Sequence, residues 1–212
     1  MKYGIILIWD LAEKSTARKV RYENMLKITE ILASYDTDKE IFHRYGQTYE
    51  KIFAKFDREA PLNILEIGTQ KGGSLLAWKE YFPNSNVYGV DTIDVVPEEY
   101  RKDTVMRIIS DIKEWKNDIE WDIVIDDGSH YLMDLAYVIP NYCIKLKMGG
   151  ALIIEDVRNP NLLLRVIENL FGDISIGFPN AKQNAYIDIK CYDTSAVGAE
   201  GSFIIALFKE AL

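Results

Sequence analysis

Glu66-Ile67-Gly68-Thr69-Gln70-Lys71-Gly72-Gly73-Ser74 joins a short apolar run, Leu62–Ile67, to the amphipathic stretch Leu75–Phe82. A buried strand, a glycine-rich turn and a helix follow one another here, and the glycines let the backbone pass close to a ligand. Downstream, Val87–Val90, Val105–Ile109, Trp121–Ile125 and Ala151–Ile154 read as further strands. Helices fall between them, near 132–147 and over Leu162–Leu170. Lys145 and Lys147 before Gly149-Gly150 suit a basic last turn and a glycine stop, and Asn159-Pro160 suits an N-cap with proline at the first helical position. Two of the segments Ile174–Phe178, Tyr186–Cys191 and Ser202–Phe208 supply the last strands, and pattern alone does not choose between them. Strand and helix alternating at this spacing predict an α/β fold, a parallel sheet with helices on both faces.

Residues 1–60 have a different, helical texture. Ile28, Ile31, Leu32 and Tyr35 fall on one helical face. Thr37 and Glu40 have capping-box spacing for a second helix carrying Ile41, Tyr45, Tyr49, Ile52, Phe53 and Phe56, with Pro61 closing the segment. Residues 1–20 read equally as strand or helix. The 1–60 segment is therefore an N-terminal helical extension or lid, and 61–212 the core, within one structural domain. The chain has 212 residues, enough to bury a sizeable core without disulfides. Cys143 and Cys191 lack CxxC spacing and read as small buried hydrophobes. Trp78, Trp115 and Trp121 read as packing residues. Lys plus Arg number 25 against 33 Asp plus Glu, a formal charge of −8 that opposes nucleic acid or an anionic membrane as partner. No run reaches the roughly 20 apolar residues of a membrane span. A cytoplasmic location is expected, and a homo-oligomer is compatible with the sequence.

Acidic residues end the strands: Asp91, Ser110-Asp111, Asp126-Asp127 and Glu155-Asp156. Ligands of parallel α/β sheets bind outside the carboxyl ends of the strands. Asp91, 23 positions after Gly68, is placed to accept from both ribose hydroxyls of a nucleoside, and Asp111 from an adenine amino group. Each also reads as a simple turn former. The glycine spacing departs from the dinucleotide pattern, which argues against a nicotinamide oxidoreductase.

Across nearly all of residues 35–208 the sequence resembles the class I S-adenosylmethionine-dependent methyltransferases. The finer resemblance is to the metal-dependent sugar O-methyltransferases of the macrolide-modifying type. It rests on Thr37-Asp38-Lys39…His43-x-Tyr45…Tyr49, on Glu66-Ile67-Gly68…Gly72-Gly73-Ser74, on Ile125-Asp126-Asp127-Gly128-Ser129-His130 and on Ile154-Glu155-Asp156. The resemblance implies a Rossmann-like, seven-stranded, mostly parallel sheet whose last strand runs antiparallel. It also implies S-adenosylmethionine as cofactor, held by Glu66, Gly68, Thr69, Ser74, Asp91, Ser110, Asp111 and Asp126. Mg²⁺ or another divalent cation would be ligated by Asp127, Glu155 and Asp156, with His130 as general base. The acceptor would be a hydroxyl of a sugar or glycosylated small molecule.

The chemistry is consistent with this set. A sugar hydroxyl is a poor nucleophile at neutral pH, so an enzyme acting on it must deprotonate and align it. A hard cation with oxygen ligands lowers an alcohol's pKa, and imidazole is a suitable base for the released proton. Consecutive strand residues face opposite sides, so Glu155 and Asp156 can both ligate only if the backbone turns there. Asp126 reads either as a partner for the methionine ammonium or as a cap of the following turn. His43 is balanced between packing and a lid contact, and Tyr45 and Tyr49 read as core. A metal-independent methyltransferase and a non-catalytic nucleoside-binding scaffold are the alternative readings of the same residues.

Overall fold

The apolar runs form the strands at the centre of the molecule, in a computed structural model describing residues 25–97, 105–171, 185–194 and 203–211. Seven strands make one sheet: β1 (Asn63–Ile67), β2 (Asn86–Asp91), β3 (Val105–Ile109), β4 (Trp121–Asp126), β5 (Leu146–Ile154), β6 (Ala185–Asp193) and β7 (Phe203–Ala211). Their order is β3-β2-β1-β4-β5-β7-β6. The first five are parallel to one another, and β7 runs antiparallel to both β5 and β6. Ile64, Leu65, Ile123, Val124, Leu152 and Ile153 are fully buried or nearly so, because a parallel sheet is covered on both faces. The strand order reverses direction between β1 and β4, and the carboxyl ends flanking that switch point form the candidate site.

One face carries α1 (Ile28–Ser34), α2 (Asp38–Ile41), α3 (Gly46–Phe53) and α4 (Gly73–Tyr81), whose Ile28, Leu32, Tyr49, Phe53 and Trp78 share a core with Ile123 and Ile153. The other face carries α5 (Leu132–Lys145) and α6 (Pro160–Phe171) over Val124, Leu152 and Leu207. Asn159 caps α6 as its sequence suggests, its Oδ1 accepting the Leu162 amide at 3.0 Å. Trp78 and Trp121 are buried, as expected of packing residues.

Four local expectations change. The helix expected over Ile41 to Phe56 is divided into α2 and α3 around Arg44, which takes a left-handed φ of 53°. Glu40 therefore accepts the Gly46 amide at 2.9 Å rather than closing a capping box, and Ile41 is exposed. The helix near 132–147 stops at Lys145, because Leu146 already pairs with Trp121 as the start of β5. Its end is served from elsewhere: Lys209 donates to the Ile144 and Leu146 carbonyls, while Lys147 pairs with Asp122. Cys143 is buried, but Cys191, on edge strand β6, is exposed. The last two strands come from the segments around Tyr186–Cys191 and Ser202–Phe208. Residues 1–20 and the whole of Ile174–Phe178 lie outside the described residues. Among the described residues no helix is long and apolar enough to cross a membrane.

Gly68 is the tightest point of the switch region. Its φ is +80°, and a Cβ there would lie 2.2 Å from the Asp127 carbonyl oxygen. Gly149 has a similar φ of +79° but nothing within 4 Å of its notional Cβ. Gly68→Ala should therefore cost about 2–4 kcal/mol, the left-handed penalty plus the clash. Gly149→Ala should cost only the former, about 1–2 kcal/mol. Thermal denaturation of both variants checks this: equal Tm losses would show that the close approach to Asp127 carries no energetic weight.

Candidate active site

The turn after β1 lies against the turn after β4. The Gly68 amide donates to Val90 at 2.8 Å, and the Asp127 amide donates to Ile67 at 2.9 Å. Above this seam is a cavity of about 390 Å³, whose wall includes Gly68, Asp91, Ser110, Asp111, Asp126 and His130. Asp91 anchors the glycine loop. Its Oδ2 accepts the Thr69 and Gln70 amides at 2.8 and 3.0 Å, and its Oδ1 accepts the Ile93 amide at 3.1 Å. A carboxylate has about four acceptor sites, so about one remains beside these three amides. Asp111 accepts the Lys113 amide at 2.8 Å and also lines the cavity. Asp126 caps the turn through the Gly128 amide at 3.1 Å while reaching the cavity, and burial pushes its carboxyl up to about 6.

Glu66, Thr69 and Ser74 are placed differently, under the loop rather than in this cavity wall. Glu66 alternates on β1 toward the α4 face, where its Oε2 accepts from Ser74 Oγ at 2.7 Å and Trp78 Nε1 at 3.1 Å. Thr69 reaches the site only through its amide on Asp91.

The opposite end of the cavity is acidic. Asp127, His130 and Asp156 bring ligand atoms within 4.8 Å of one another. His130 Nε2 lies 3.9 Å from Asp127 Oδ1 and 3.8 Å from Asp156 Oδ2. The required backbone turn is present: Asp156 has φ +51° and His130 φ +57°, both left-handed. Non-glycine residues hold that conformation only where the surroundings impose it, and such residues concentrate at functional sites. The turn sends the two neighbouring acids to different partners. Asp156 faces His130, and its Oδ1 accepts from the Tyr45 hydroxyl, with His43 Nδ1 at 3.6 Å. Glu155, 2% exposed, accepts from the Tyr49 hydroxyl and, at 2.8 Å, from Lys39 Nζ.

Lys39 is the unexpected member. Its side chain is buried, with Nζ 2.6 Å from Asp127 Oδ2, 2.8 Å from Glu155 Oε2 and 3.2 Å from Glu66 Oε1. Burial opposes its charge, but the carboxylates of Asp127, Glu155 and Glu66 outweigh that and hold it well above the usual lysine range. Burial pushes the Glu155 carboxyl well up, against the pull of Lys39. Burial likewise pushes the Tyr49 phenol well up, so its hydroxyl keeps the proton it donates.

Sequence reasoning passed over Lys39, Tyr45 and Tyr49 as site residues. Both tyrosines are core, fully buried, yet a buried phenol needs a hydrogen-bond partner, and tyrosine instead of phenylalanine at these positions was the available signal. Lys39 carries no such signal in its chemistry, since a lysine beside Glu40 on a short helix reads as solvent-facing; its place in the Thr37-Asp38-Lys39 run of the resemblance was the one hint.

A second cavity, of about 350 Å³, shares Ser129, His130, Leu135 and Asp156 with the first. Leu132, Val157, Leu162 and Leu163 give it an apolar wall, with Arg158 and Asn159 beside them.

No family model matches the chain. The 8-demethyl-8-alpha-L-rhamnosyl tetracenomycin-C 2'-O-methyltransferase of Streptomyces olivaceus is 33% identical over 138 residues, 58% of this chain and 36% of that protein. The mycinamicin VI 2''-O-methyltransferase of Micromonospora griseorubida is 31% identical over 149 residues, 61% of this chain and 36% of its own length. The chain thus spans about a third of the curated relatives it matches. Among solved structures, MycE methyltransferase from the mycinamycin biosynthetic pathway, in complex with Mg and SAH, superposes with a TM-score of 0.68 at 22% identity. That match covers 89% of this chain and 56% of MycE. The plantazolicin methyltransferase BpumL, matched over 96% of this chain and 93% of its own, has a TM-score of 0.52 at 14% identity. The chain has the class I methyltransferase fold, and over more than half its length its sequence is similar to sugar O-methyltransferases of macrolide and tetracenomycin pathways.

Proposed function

We propose that this chain transfers a methyl group from S-adenosylmethionine to a hydroxyl of a sugar or glycosylated small molecule, assisted by a divalent cation. The observation that carries the reading is that two cavities share His130 and Asp156 in their walls. A nucleoside-sized donor and a separate acceptor can each occupy one cavity and meet at those two side chains. The relatives named above, whose printed activities are sugar O-methylations, favour the same chemistry.

The donor set fits a hard cation. Asp127 and Asp156 offer oxygens close together, and Glu155, engaged by Lys39 and Tyr49, retains acceptor sites for an ion. When bound, S-adenosylmethionine supplies an already activated methyl, and the cation supplies positive charge that acidifies an adjacent hydroxyl. The chain's own residues do the rest. Asp91 accepts a ribose hydroxyl at its remaining site, and Asp111 accepts from the adenine amino group. Gly68 lets the backbone approach the methionine portion. His130 Nε2, placed between the cavities, takes the hydroxyl proton. The apolar wall of the second cavity holds the body of the acceptor and excludes water.

Three outcomes test this. S-adenosylhomocysteine should raise the Tm of the protein while NAD does not, through binding to the native state, and Asp91→Ala should reduce that rise. Stabilisation by NAD alone would overturn the cofactor assignment. Against a panel of rhamnosides and glycosylated macrolides, methyl transfer should stop in excess chelator and return with Mg²⁺, and Asp127→Asn should lose transfer while keeping S-adenosylhomocysteine binding. Full turnover in chelator would leave the metal-independent reading standing. His130→Ala should lower kcat by about 10²–10⁴-fold, the usual contribution of a positioned base, with little change in S-adenosylhomocysteine affinity. A near-wild-type kcat would remove His130 from the chemistry.

A further inference from the structure

We propose that Lys39 is the positioning residue of the acid cluster: its buried ammonium takes one oxygen of Asp127 and one of Glu155, and so sets the direction in which Asp127 presents its other oxygen to a divalent cation. The inference rests on the metal-assisted reading given above.

The geometry separates the two sides of Asp127. Oδ2 is bound by Lys39 at 2.6 Å, and Oδ1 is the oxygen that faces His130; Asp127 itself is one of the candidate ligand trio. Asp156 is divided in the same way: Oδ1 meets Tyr45 and His43, and Oδ2 faces His130. Contacts on the rear oxygens come from residues 39, 43 and 45, so the α2–α3 segment holds the acids from behind while the strand ends bring them forward. Glu155 is held from the same segment at both oxygens, by Lys39 and Tyr49. A carboxylate without such restraint rotates about its last bond, and the ligand oxygen of Asp127 would then have no preferred direction.

Lysine suits this position. Its ammonium is a compact charge with three donors and no acceptor, and here it meets three carboxylates. Arginine keeps the charge, but its planar fork cannot reproduce three converging contacts of 2.6–3.2 Å in a side chain 2% exposed. The third acid, Glu66, is fixed by Ser74 and Trp78 and lies outside the ligand trio, so it ties Lys39 to the sheet rather than to the ion.

A purely compensating role for Lys39, neutralising buried acids, makes a different prediction, and a charge-balanced variant separates the two. Lys39→Met leaves the acids unpaired and should lower Tm, whereas Lys39→Met with Glu66→Gln removes one charge of each sign and should recover most of that loss. Titration calorimetry with Mn²⁺ on chelator-treated protein then reads the site directly, with far-UV circular dichroism confirming the fold. The double variant should bind Mn²⁺ at least tenfold more weakly than wild type despite its recovered Tm, and Lys39→Arg should be weakened as well. Wild-type Mn²⁺ affinity in either the double variant or Lys39→Arg would overturn the inference, leaving Lys39 as charge compensation only. Failure of the wild-type protein itself to bind Mn²⁺ would overturn the metal reading, and this inference with it. A wild type that binds and variants that bind equally would overturn the inference alone.

Discussion

The turn after β1 and the turn after β4 touch through their backbones, and the site is built on that contact. A side chain at Gly68 would enter the Asp127 carbonyl. Only because none is there can the glycine loop lie directly over the acids that end β4. Parallel pairing of β1 with β4 in register, Ile67 beside Asp126, delivers both turns to the same height. Asp91 then fastens the glycine loop to β2 through two backbone amides. The first cavity and the acid cluster are thus two sides of one seam, and neither can shift without the other.

The acid cluster is an electrostatic problem that the N-terminal helices solve. Glu66 and Glu155 are nearly inaccessible, and burial drives each carboxyl toward its neutral form. One ammonium and two phenols, all from residues 39–49, supply the counterbalancing charge and hydrogen bonds. A buried ion pair of this kind is poor evidence of stability in itself, since desolvation offsets much of its attraction. Its value lies in fixing the position of groups that a ligand or reacting hydroxyl must find.

Much of the fold was legible because parallel strands buried on both faces must be continuous apolar runs, and those runs are short and well separated here. Leu62–Ile67, Val87–Val90 and Trp121–Ile125 could hardly be anything else. Boundaries failed where tertiary contacts overruled local signals: Gly149-Gly150 looks like a helix stop, yet the chain there is already strand, because β4 offers backbone partners from Trp121 onward. At the site, the strand-end acids were legible from position alone. The division of labour between Glu155 and Asp156 was not, since it depends on a left-handed residue that no sequence pattern announces. Lys39 was illegible for a related reason: its environment is made by residues 27 to 116 positions away.

That separation has a consequence for how the protein folds. Lys39 meets Asp127 and Glu155 across 88 and 116 residues of chain, so the ammonium finds its acids only after the parallel sheet has brought β4 and β5 together. Contacts of such long sequence separation form late and slowly, since the closure entropy precedes the reward. The same order runs in reverse during native-state opening. Detachment of α2 and α3 would strand the acids and uncover the core that Tyr49 and Phe53 share with Ile123 and Ile153. Amide exchange in α2 and α3 then reports on the intactness of the acid cluster, ahead of any loss of the strands beneath it.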